Sequence, residues 1–146
     1  MAFVKEVTLL VKSVIENIED GVVDHELDEI TESTVSGFMK PVENGFFLTY
    51  SEDGEGGKTV CDITTTGESV RVRRIGSVVS DLLFEVGTPH TSIYEVPPYK
   101  FDMSVEATKI RNSLTLGSGV LDLFYKMNVG GAEKKVRLKI TVFPVQ

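Results

Sequence analysis

Along nearly the whole chain apolar residues recur at every second position, and no stretch keeps a sustained helical period. A chain patterned this way can bury one face only as strands, because successive side chains of a strand point to opposite sides. Phe3, Val7, Leu9, Val11 and Ile15 share one face of a first strand, with Lys5 interrupting it near the end. Residues 4–18 resemble a helix in length, but their β-branched content favours a strand. Asp20-Gly21 supplies a hairpin turn, since both residues tolerate positive φ. A long polar strand is expected from Val22 to about Ser36, with Asp24, Glu26, Asp28 and Glu32 on a solvated face, then a short one from Phe38 to Pro41.

Gly45 to Ser51 alternates Phe46, Leu48 and Tyr50 with Phe47 and Thr49. Glu52 to Lys58, with Gly54, Gly56 and Gly57, reads as a mobile surface turn. Thr59, Cys61, Ile63 and Thr65 share the next face, and Val70 and Val72 point opposite to Arg71 and Arg73. Phe101, Met103, Val105 and Ala107, then Leu121, Leu123, Tyr125 and Met127, then Val136, Leu138, Ile140 and Val142 complete the pattern. The expected fold is all-β: a single antiparallel up-and-down barrel of about eight to ten strands over residues 1–146, with a sandwich as the alternative. About eight strands can just enclose one small ligand.

The 146 residues suit one domain, and a chain of this size buries roughly 70% of its unfolded surface. Its net charge of −7 disfavours nonspecific nucleic-acid binding. Cys61 is the only cysteine, and the opening Met1-Ala2-Phe3-Val4-Lys5 lacks a secretory pattern, so a cytoplasmic location is expected. No apolar run approaches the roughly 20 residues that span a membrane. With only His25, His90 and one cysteine, no metal site and no cofactor are expected.

Arg74-Ile75-Gly76, Phe84-Glu85-Val86-Gly87, His90-Thr91-Ser92-Ile93-Tyr94-Glu95 and Pro97 resemble the signature of the YwiB-like family, uncharacterised bacterial proteins with a calycin-type barrel like that of lipocalins and fatty-acid-binding proteins. Tyr50-Ser51-Glu52 and Lys139-Ile140-Thr141-Val142 fit the same pattern, which is strongest from about Phe46 onward. Val96 and Tyr99 stand where the family tends to have threonine and glycine, so the turn there is expected to be rebuilt. The resemblance implies a barrel with an inner cavity and implies no reaction.

Continuing the alternation of Val70 and Val72 turns Arg74 inward, where an unpaired guanidinium is costly. It either binds a ligand carboxylate or phosphate, pairs with an internal Asp or Glu, or is turned to solvent by a bulge at Gly76. His90 either binds a ligand at the barrel mouth or ties a loop to the backbone. Tyr94 and Tyr50 are candidates for the pocket wall or for plain core. Cys61 reads as inert packing. The basic strand faces at Arg71, Arg73 and Arg74 and at Lys135, Arg137 and Lys139 lack the interleaved aromatics that stack bases.

The leading expectation is a noncatalytic binding module for a small, partly apolar anionic ligand, held by Arg74, Tyr94, His90 and Tyr50. The alternative is a homodimer or protein partner docking on the outer surface, with Phe124 exposed there. A catalytic reading would require His90 and Tyr94 within reach of Arg74 around one cavity, and no catalytic residue is assigned because no activated nucleophile is visible.

Overall fold

A computed structural model describes residues 4–19, 22–54 and 56–145, with the backbone alone for 19 and 22–28. Ten strands follow one another: β1 (Lys5–Glu19), β2 (Val22–Val42), β3 (Gly45–Gly54), β4 (Gly57–Thr66), β5 (Ser69–Gly76), β6 (Ser80–Phe84), β7 (Pro89–Val96), β8 (Tyr99–Asn112), β9 (Gly119–Val129) and β10 (Ala132–Pro144). Among the described residues there is no helix. Every strand pairs antiparallel with its chain neighbours except β6 with β7, and β1 pairs with β10 from Val7 opposite Pro144 to Ile18 opposite Glu133.

The resulting order, β6-β5-β4-β3-β2-β1-β10-β9-β8-β7, leaves β6 and β7 as the two sheet edges. They meet through one bridge, in which Val79 and Glu95 exchange backbone hydrogen bonds of 2.8 and 2.9 Å. Just past β6, Gly87 N–H donates to the Ala107 carbonyl at 3.0 Å. The sheet thus curls into a nearly closed up-and-down barrel, which removes most exposed edge.

Several expected boundaries shift. The polar strand from Val22 and the short one at Phe38–Pro41 are a single strand, β2. Gly37 in its middle is a packing glycine, not a break: a Cβ there would lie 2.5 Å from the Thr49 carbonyl oxygen and 2.9 Å from Leu9 Cδ1. Glu52 does not belong to a surface turn but to β3, opposite Thr59, because the hairpin turns tightly between Gly54 and Gly57. Phe101, expected inward, is 42% exposed at the rim, opposite Tyr94. Val96 and Tyr99 pair across the Pro97-Pro98 turn, whose peptide is cis. The β9–β10 hairpin closes with Gly130 and Gly131, both at positive φ, as a two-residue turn of this hand requires. The Asp20-Gly21 turn, Phe3, and the side chains of Asp24, Glu26 and Asp28 lie outside the described residues.

The inward faces divide the barrel in two. At one end Val7, Leu9, Met39, Leu48, Ile63, Val70, Val72, Phe84, Val105, Leu121, Leu123, Ile140 and Val142 are all buried in one cluster. The β8–β9 connection adds Leu114 to that cluster. Toward the other end polar residues such as Ser13, Glu52, Thr59, Arg74 and Lys134 enter the inward positions among apolar ones, and there the cavity lies.

Candidate functional site

Three ladders set a floor row, of which Arg74 and Ser80 reach the cavity. Tyr50 on β3 stands opposite Cys61 on β4, Cys61 opposite Arg74 on β5, and Arg74 opposite Ser80 on β6. Directly paired residues of an antiparallel ladder share a face, so one row carries a phenol, a thiol, a guanidinium and a hydroxyl inward. The β4–β5 register runs without a shift through Arg74 to Gly76, so no bulge turns Arg74 to solvent.

The cavity above this row holds about 410 Å³, within the range of small-molecule sites. Arg74, Glu52, Ser80, Tyr94 and Tyr125 contribute to its wall, with Leu82, Met103 and Met127 supplying apolar surface. The Tyr125 ring packs on Phe84 at 4.5 Å between centroids, joining the cavity to the solid end.

Arg74 is hemmed in by protein yet only half-buried, since the cavity leaves part of it accessible. Burial opposes its charge, but the acidic groups Cys61, Tyr50, Tyr125 and Glu52 around it outweigh that and hold its pKa above the ordinary arginine value. Burial pushes the Tyr50 hydroxyl, the Cys61 thiol and the Tyr125 hydroxyl upward, so all three are neutral at pH 7. Glu52 is the one carboxylate among these four groups.

The ion pairs among the described residues join Arg71 and Arg73 to Asp81, His90 to Glu85, Lys100 to Glu95 and Arg137 to Asp122. Arg74 is in none of them, so the expected pairing with an internal carboxylate is not made. Two hydroxyls of the floor row, Tyr50 Oη and Ser80 Oγ, are buried without a hydrogen-bond partner. Such groups raise the cost of the folded state.

The four candidate residues do not converge. Arg74 and Tyr94 line the cavity; Tyr50 is 3% exposed and does not reach its surface. His90 is outside the lining, four residues from Tyr94, or about 13 Å along a strand. Its Nε2 lies 3.0 Å from Glu85 Oε1. The arrangement that a catalytic reading requires is therefore not formed. Phe124, expected to be exposed, is half-buried under cations: the Arg137 guanidinium lies 4.8 Å and Lys109 Nζ 5.9 Å from its ring centre. Among the described residues no group of His, Cys, Asp and Glu side chains could hold a metal ion.

Sequence reasoning missed Glu52, Tyr125 and Lys134 as wall residues. Lys134 had a usable signal, since it extends the inward series Val142, Ile140, Leu138, Val136 by one step.

Comparison with known proteins agrees with this architecture. Residues 15–140 match the family model for the domain of unknown function DUF1934. The uncharacterized β-barrel protein YwiB of Bacillus subtilis (strain 168) is 27% identical over 128 residues, covering 88% of this chain and 85% of that protein. The crystal structure of ywiB protein from Bacillus subtilis aligns with a TM-score of 0.83 at 25% identity, covering 98% of this chain and 94% of that one.

Proposed function

The chain belongs to the DUF1934 family, a domain of unknown function, and on that footing we propose that it is a noncatalytic binding protein for a small, partly apolar ligand with an anionic head group. The observation that carries this reading is Arg74: a guanidinium facing a cavity with no carboxylate of the described residues in ion-pair distance. A planar fork of this kind suits a carboxylate or phosphate, and Leu82, Met103 and Met127 offer apolar surface beside it. The up-and-down barrel is read as calycin-like, a form that holds its ligand inside. A free, buried Cys61 fits a cytoplasmic setting.

Native mass spectrometry tests whether the purified protein retains a small molecule. Titration with the anionic fluorophore anilinonaphthalene sulfonate supplies a defined probe. Arg74→Ala should weaken that probe by about tenfold or more while far-UV circular dichroism stays unchanged. A folded protein that retains nothing and ignores the probe refutes the reading; unchanged affinity in the variant removes Arg74 from the site.

A second reading, an interface on the outer wall, is favoured by Ile75 and its cross-strand partner Val60, 52% and 43% exposed, with Ile93 at 56% beyond the seam. Light scattering decides it: a monomer at every concentration counts against self-association there.

A further inference from the structure

The cavity wall carries both signs of charge. Arg74 on β5 and Lys134 on β10 are matched by Glu52 on β3 and Glu29 on β2. A site shaped for a plain anion gains nothing from carboxylates beside it, because like charges repel the ligand.

Glu52 and Arg74 do not cancel each other by contact. Neither takes part in the ion pairs or side-chain hydrogen bonds of the described residues. Strand β4 lies between them: Glu52 stands opposite Thr59, and Arg74 opposite Cys61. With strands spaced about 4.8 Å and a two-residue offset of about 7 Å along them, their backbones are roughly 12 Å apart. Both side chains are half-buried on one wall of the same cavity, so an unlike pair is held apart across open space. Glu52 is nonetheless near enough to help hold the Arg74 charge.

We propose that the ligand is amphoteric: its anionic group meets Arg74, its ammonium meets Glu52, and its apolar part lies on Leu82, Met103 and Met127. The simplest class with this layout is an α-amino acid with an apolar side chain. This rests on the binding reading above and sharpens it. Specificity follows from the pair, since a ligand with only one charge leaves the other protein group desolvated and unmatched.

Calorimetric titration with three ten-carbon probes separates the possibilities: decanoate, decylamine and 2-aminodecanoate. The expected result is 2-aminodecanoate binding about tenfold or more tighter than either single-charge probe. Glu52→Gln should abolish that preference and leave decanoate affinity within about threefold; Arg74→Ala should weaken decanoate and 2-aminodecanoate alike. Decanoate binding as tightly as 2-aminodecanoate, or a preference that survives in Glu52→Gln, overturns the amphoteric inference and leaves the anion reading standing. Failure of all three to bind the folded wild type, or indifference to Arg74→Ala, overturns the binding reading and this inference with it. The wild-type ranking decides the matter even where a variant does not fold.

Discussion

The two ends of the barrel are cut from the same ten strands, yet their inward faces follow opposite rules. At the solid end Leu9, Leu48, Ile63, Val72, Leu123 and Ile140 interlock and are each no more than 1% exposed. A few residues along the same strands the inward positions become Ser13, Glu52, Thr59, Arg74, Tyr125 and Lys134. Consistent patterning is what lets a sequence specify a fold, and proteins break it where they place function. The difference teaches that stability here resides in one end, which frees the other to hold groups that no core would accept.

The largest expected effect tests that division. Leu123→Ala, at the solid end, should cost about 2–5 kcal/mol in urea unfolding, whereas Met127→Ala, four residues on and already facing the cavity, should cost about 1 kcal/mol or less. Equal losses would erase the distinction between the ends.

A smaller effect concerns the outer wall over the solid end. Asp122 lies between Leu121 and Leu123, and Arg137 donates to it from Nε and Nη2 at 3.0 and 2.9 Å. The hydrogen bonds from Arg137 hold the Asp122 carboxyl below its ordinary value of 3.8. The folded-state pKa is depressed, so this contribution is complete above the ordinary value and is lost as pH falls through the lower, folded one. Arg137→Ala should therefore cost about 1 kcal/mol near neutrality, a modest figure because Arg137 is half-exposed. The gap from wild type should close below pH 3.8. A gap that persists into acid would assign the loss to packing on Phe124.

The smallest effect has the opposite sign. The Tyr50 hydroxyl lies near the Cys61 thiol, a weak partner, and has no hydrogen bond of standard geometry. Tyr50→Phe should leave thermal stability unchanged or raise it by about 0.5–1 kcal/mol. A clear loss would show that the phenol is satisfied and that the floor row is ordinary core.

The alternation made the barrel legible, including the inward turn of Arg74 after Val70 and Val72. It did not reveal which residues would stand together. Tyr50, Cys61, Arg74 and Ser80 form a row only through three successive ladder registers, and register depends on turn lengths that local patterning does not fix. Glu52 was hidden by the glycines that follow it, which read as a loop but form a tight hairpin. Gly37 looked like a boundary because a glycine needed for close packing and one needed for a turn are identical in sequence. His90 illustrates the reverse limit: four residues from Tyr94 is near in sequence but far along an extended strand.

Arg74→Met tests the central claim most directly, because it keeps an unbranched apolar stem and removes the charged guanidinium with its donors. Unfolding in urea and titration with anilinonaphthalene sulfonate are measured on the same preparation. The account requires stability that is unchanged or about 1 kcal/mol higher, since an unpaired charge leaves a poorly solvated site, together with affinity reduced about tenfold or more. Stability lower by about 3 kcal/mol or more with affinity intact would contradict it, and would make Arg74 a structural member of the wall.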